Sequence, residues 1–151
     1  MSNRRGWTMI ELLIVIVILG LLSSLAVLKY IDLSRTAFAA KIVGEFTTVR
    51  LAAYNYEADH SNVWPGDQGP GIAPPELDTY LPDGFSFVTP TYQLDWDNRA
   101  PSVDPVQIAI SVTTTDARLM NALVQNRGTK APYRVLGNRL TYVLIDANGN
   151  W

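Results

Sequence analysis

Glu11 is the only ionisable side chain in a long apolar run, and Leu12 to Leu28 carries no charge at all. A charged group in such a run costs roughly 2.5 to 3.5 kcal/mol near a bilayer centre and less near an end. The chemistry open to it is charge compensation: it stays wet at an interface, or it meets a cation. A cut after Gly6 would supply that cation, because Trp7 would then carry a free, positively charged amine four residues upstream. One subunit's carboxylate could neutralise another's amine inside an apolar assembly, where an unpaired charge is expensive.

Two further clusters are rich in oxygen. Asp95, Asp97 and Asn98, and then Asp146, Asn148 and Asn150, offer hard ligands of the kind calcium requires. Neither cluster has the EF-hand spacing, and Asn148-Gly149 also reads as a turn. No catalytic constellation accompanies them, so the chain does not read as an enzyme. The single histidine, His60, has no cysteine or second histidine beside it and reads as a helix-end residue. No Gly-rich phosphate loop of known spacing occurs. Ser23 and Ser24, inside the apolar run, can bond back to preceding carbonyls and read as packing residues.

The elements that position these groups follow from periodicity. Met9 to Leu28 is about 20 residues, a helix about as long as the hydrocarbon layer is thick. Arg4 and Arg5 precede it, which keeps that end cytoplasmic and places the rest of the chain across the membrane. Phe38, Ile42, Phe46, Val49, Ala53 and Tyr56 recur at intervals of three and four, an apolar stripe that continues the helix to about His60. Prolines and glycines then break any period between His60 and Pro90, leaving a connecting loop with a short helical turn near Pro75 to Tyr80, pinned by Trp64, Ile72, Leu77, Tyr80 and Leu81. Strands are expected at Phe85 to Val88, Thr91 to Trp96, Val106 to Thr113, Tyr133 to Leu136 and Arg139 to Ile145. Gly137-Asn138 makes the last hairpin, and Asp116 caps a helix from Ala117 to Asn126 that Gly128 ends. The fold class is α+β: a long N-terminal helix packed on a small antiparallel sheet.

Composition sets limits on this reading. The 151 residues, 48% hydrophobic, hold one anchor helix and one modest globular domain. Net charge is −2, and loss of Arg4 and Arg5 would leave 10 basic against 14 acidic side chains, a balance that argues against a general nucleic-acid ligand. With no cysteine, the domain must hold without a disulfide.

Gly6-Trp7-Thr8-Met9-Ile10-Glu11-Leu12 and the apolar run with Gly20 closely resemble the N-terminal signal of type IV pilins and type II secretion pseudopilins. The resemblance implies a leader of residues 1–6, a membrane and assembly helix 7–30, its amphipathic continuation 31–60, a connecting loop 61–90 and a sheet-bearing part 91–151. It implies that a prepilin peptidase cuts after Gly6 and methylates Trp7, and that Glu11 is the assembly glutamate. Trp7 stands where the family usually has Phe, and Leu28 stands where a Pro often follows the span, so any melted segment would rest on Gly20. The absence of a disulfide leans towards pseudopilins or cysteine-free pilins. Major pseudopilins carry a calcium site in a C-terminal loop, which makes Asp95, Asp97, Asp146 and Asn148 the calcium candidates.

The expected function is structural. The chain would be a filament subunit of a type IV pilus-like or type II secretion machine, polymerised through its N-terminal helix with copies of itself and minor subunits by an inner-membrane platform and ATPase. Two other readings of the N-terminus compete, a secretory signal peptide cut near Ser24-Leu25-Ala26 and a plain anchor, but both leave Gly6 and Glu11 unexplained. The alternative from another class is an anchored periplasmic binding module that never polymerises. An anchored enzyme is the weakest reading.

Overall fold

The computed structural model describes residues 7–99, 106–127 and 132–146. Gly6, Asn148 and the expected helix stop at Gly128 lie outside them. Two compact units divide the chain, Met1–Ser34 and Arg35–Trp151. Helix α1, Met9–Asp59, enters both. Within the first unit it runs through Gly20 without interruption, and every described side chain from Trp7 to Tyr30 is exposed. By length and composition this stretch can cross a membrane. Ser24 donates from its hydroxyl to the Leu21 carbonyl at 2.8 Å, the back-bonding expected of a serine in an apolar helix.

In the second unit α1 buries Ala39, Ile42, Val43, Phe46, Val49, Ala52 and Ala53. Phe38, expected on the apolar stripe, is 44% exposed, and Ala39 lies inward in its place. Three of the buried positions are alanines, and Phe38 falls on the flank of that narrow face. Ser61 and Asn62 adopt φ of 55° and 68°, and the Asn62 N–H returns to the Glu57 carbonyl at 3.1 Å, closing the helix with a left-handed turn.

Four antiparallel strands form the sheet: β1 Gln93–Asn98, β2 Val106–Thr113, β3 Tyr133–Leu136 and β4 Arg139–Asp146, in the order β1-β2-β4-β3. Helix α2, Ala117–Arg127, joins β2 to β3. Its first turn is capped as expected, with Asp116 Oδ1 accepting from the N–H groups of Arg118 and Leu119 at 2.9 and 3.2 Å. The hairpin turns at Gly137, whose φ of +60° suits glycine. Register aligns Trp96, Ile110, Tyr142 and Tyr133 in one row and Leu94, Val112, Leu140 and Val135 in the next. These rows belong to the core into which α1 and α2 pack. Residues of opposite parity, Asp95, Asp97, Ser111, Arg139 and Thr141, must therefore lie on the other face.

The expected strand at Phe85 to Val88 is instead a single bridge, Val88 to Gln93. Thr89 and Pro90 turn the chain, and the Thr89 N–H takes the Tyr92 carbonyl at 3.0 Å, so regular pairing starts at Gln93 rather than Thr91. The preceding segment covers the outer edge of β1: the Gly71 N–H donates to the Leu94 carbonyl at 2.7 Å, and Leu94 N–H to the Phe87 carbonyl at 2.8 Å. Gly71 has φ +81°, and a Cβ there would lie 2.9 Å from Val88 Cγ2, so close approach requires glycine. The expected helical turn is a short 3-10 helix at Pro75–Leu77, whose Leu77 is fully buried. Ile72, expected to pin this segment, is 56% exposed. Trp96 ties the segment to the core, its indole N–H donating to the Pro65 carbonyl at 3.1 Å while its ring stacks on Trp64.

Trp96→Ala removes a fully buried ring and that hydrogen bond together, and should lower folding stability by about 3–5 kcal/mol. Denaturation of the full chain in detergent, followed by near-ultraviolet circular dichroism, measures the loss. A change within about 0.5 kcal/mol, the range of an ordinary surface substitution, would contradict the placement of Trp96 in the core.

Candidate functional site

Glu11 is engaged at the start of α1. Its Oε2 accepts from the Thr8 backbone N–H and the Thr8 hydroxyl, each at 2.8 Å, and the Glu11 N–H points back to Thr8 Oγ1 at 3.3 Å. Thr8-Met9-Ile10-Glu11 is thus a reciprocal capping box, which satisfies amide donors that the first helical turn leaves without partners. The carboxylate also sits where the positive end of the helix dipole favours an anion. Among the described residues, Glu11 Oε1 takes no hydrogen bond and remains available to a cation. Trp7, next to the cap, is 74% exposed.

Asp95 and Asp97 lie on the sheet face opposite α1, 3% and 4% exposed. Arg139 reaches them from β4, across the whole width of β2. Its Nη2 donates to Asp95 Oδ2 at 2.8 Å and also to Asp97 Oδ2. Ser111 on β2 donates to Asp97 Oδ2 at 2.8 Å and shares a hydrogen bond of 3.0 Å with Thr141, while Arg99 holds Asp97 Oδ1 at 2.8 Å. Burial pushes the Asp95 carboxyl above its ordinary value, Asp97 adds to the rise, and Arg139 opposes it. Among the described residues the buried Asp95 Oδ1 has no hydrogen-bond partner.

These contacts bear directly on the calcium candidates. A guanidinium occupies the place between Asp95 and Asp97 that a metal ion would need. Asp146 ends β4, where it pairs in register with Val106 rather than with the Asp95 and Asp97 rows. Among the described residues no group of three His, Cys, Asp or Glu side chains could hold a metal ion. His60 turns back on its own helix, with Nδ1 at 2.8 Å from the Tyr56 carbonyl and its ring stacked on Tyr56.

The N-terminal part, residues 1–27, matches the family model for the prokaryotic N-terminal methylation motif. Over 113 residues the chain is 31% identical to the type II secretion system core protein G of Klebsiella michiganensis, covering 70% of this chain and 78% of that protein. The chain belongs to the type II secretion pseudopilin family. Pseudopilins called core protein G from Dickeya chrysanthemi and Klebsiella pneumoniae are 33% and 35% identical over 89 and 69 residues, covering 58% and 49% of their lengths. No solved structure matches the chain. The pseudopilin family is structural rather than enzymatic, so this chain is a pseudopilus subunit, and the anchored module that never polymerises is not favoured.

Two features of this pseudopilin escape the sequence reading. The capping box has a plain signature, a threonine three residues before a glutamate at the head of an apolar run. The Arg139 bridge has only half a signature: alternation puts Asp95 and Asp97 on one face, but their partner lies more than forty residues on.

Arg139→Met leaves the buried Asp95 carboxylate without its cation, while Asp97 keeps Arg99 and Ser111, and should cost about 3–5 kcal/mol of stability at neutral pH. A carboxyl whose folded pKa exceeds its unfolded value contributes stability at low pH that is lost as pH rises through the folded value. The variant should therefore regain more stability than the parent on acidification towards about pH 4, the ordinary carboxylate range. Parallel stability curves for variant and parent would exclude the pairing.

Proposed function

We propose that this pseudopilin inserts in the inner membrane with its N-terminus cytoplasmic, is cut after Gly6 and methylated at Trp7 by a prepilin peptidase, and then polymerises through α1. The observation that carries the reading is a helix with every side chain from Trp7 to Tyr30 uncovered and one carboxylate fixed at its head. Transfer of such a helix from lipid to a bundle of like helices changes its apolar contacts little, since lipid tails are as apolar as leucine. The charge then supplies direction. A neighbour's Trp7 amine can approach Glu11 Oε1 while Thr8 keeps its bonds to Oε2, so the helix cap need not break when the pair forms. In low dielectric an amine and a carboxylate so placed satisfy each other, whereas either alone is costly.

The partners of this reading are further copies of the chain, minor subunits of the same filament, and an inner-membrane assembly platform with an ATPase that drives extraction. Mass spectrometry of the protein from its own membranes should find a chain starting at Trp7 and heavier by one methyl group. Glu11→Ala should keep that processing and abolish filaments. Filament yield equal to the parent's would sink the assembly role of Glu11 and favour an anchored module.

A second reading concerns calcium. Asp146 ends β4 and is followed in sequence by the oxygen-rich stretch that includes Asn148, and the proposal confines the site to that stretch, since Arg139 already lies against Asp95 and Asp97. At one hundred times its dissociation constant, calcium should add about 2.7 kcal/mol to folding stability. The gain should vanish in Asp146→Ala with Asn148→Ala. Melting indifferent to both calcium and chelator would remove calcium from the account.

A further inference from the structure

The second unit carries opposite charges on opposite edges of its sheet. At the β3 edge a cleft of about 290 Å³ opens between α1 and the β3–β4 hairpin. Val43 and Phe46 form an apolar wall; Arg50, Arg127, Tyr133 and Tyr142 supply polar groups, and among the described residues no acidic side chain lines it. Arg50 Nη1 donates to the Tyr142 hydroxyl at 2.9 Å, which orients the guanidinium and leaves its other donors free to face a ligand. Arg127 ends α2 on an exposed position. Burial lifts the Tyr133 phenol above its ordinary value, so it stays a donor near neutral pH. Two guanidinium groups and a phenol without an internal carboxylate are chemistry for a carboxylate.

At the other edge β1 is covered by the segment 61–90, which contains Asp67, Glu76, Asp78 and Asp83 and neither lysine nor arginine. Asp67 is used internally, accepting from Gly69 N–H at 3.1 Å. Asp78 and Asp83 are exposed. Two different, complementary patches on one chain make a heterologous contact, and a heterologous contact that does not close on itself gives an open helical polymer.

We infer that the cleft of Arg50 and Arg127 at the β3 edge receives the Asp78 and Asp83 carboxylates from the β1-edge segment of a second copy. This rests on the polymer reading above and adds the contact that sets the order of globular units along it. Partly exposed charges across such a contact steer and register more than they bind, so the contact weakens with salt.

The test uses the full chain in cells with its secretion machinery, where the parent forms filaments. Arg50→Glu with Arg127→Glu should cut filament yield by roughly tenfold or more, because like charges then face each other. Asp78→Arg with Asp83→Arg should do the same, and all four changes together should restore assembly. A second measurement does not depend on tolerance of these reversals. The chain has no cysteine, so Asp83→Cys with Arg127→Cys introduces the only two thiols, and mild oxidation of filaments should give a ladder of covalent multimers that neither single substitution gives. Parent filaments with no ladder, and with yields blind to charge reversal, would overturn this contact and leave the polymer intact. Absence of filaments from the parent would overturn the polymer reading and this contact with it.

Discussion

Every side chain from Met9 to Tyr30 on α1 is exposed, and water is a poor solvent for most of them. Among the described residues no part of the first unit covers that surface, which suits contact with lipid or with like helices. In the assembly proposed above, this condition makes the single carboxylate at Glu11 consequential, because apolar packing alone cannot tell one stagger of parallel helices from another. A charge that must find its partner can. Thr8 keeps the carboxylate at the helix head, in the field of the first-turn amides.

The second unit meets a different demand, holding a small sheet together with no disulfide. It does so with a helix face narrow enough for three alanines, a tryptophan that pins the connecting segment, and a charged bridge over the sheet's other face. The bridge is specific rather than strongly stabilising, since desolvation of two carboxylates offsets much of the attraction. Arg139 still fixes β4 relative to β1, two strands away, a relation that backbone pairing defines only through β2.

Local signals were enough for much of this architecture. β-rich composition between turn residues placed β2 and β3 at their observed bounds and β4 to within one residue; Asp116 announced α2, and Gly137-Asn138 announced the hairpin. Where a residue's fate depends on distant chain, the local pattern misleads. Phe85 to Val88 has strand composition, but the Thr89 N–H donates to the Tyr92 carbonyl and pairing begins later. Phe38 keeps the helical spacing, yet the inward line passes through Ala39. Asp95 and Asp97 look like metal ligands until the strand order β1-β2-β4-β3 brings Arg139 over them. Strand order is not encoded in any single segment, which is why that site was legible as chemistry and not as its actual partner.

The most direct measurement is a density map of the assembled filament at a resolution that shows side chains. The account predicts α1 helices bundled at the filament axis, with each Glu11 carboxylate within about 4 Å of a neighbour's Trp7 amine, the span of an ion pair. Filaments whose Glu11 faces solvent, or whose Trp7 amine pairs within its own chain, would contradict it.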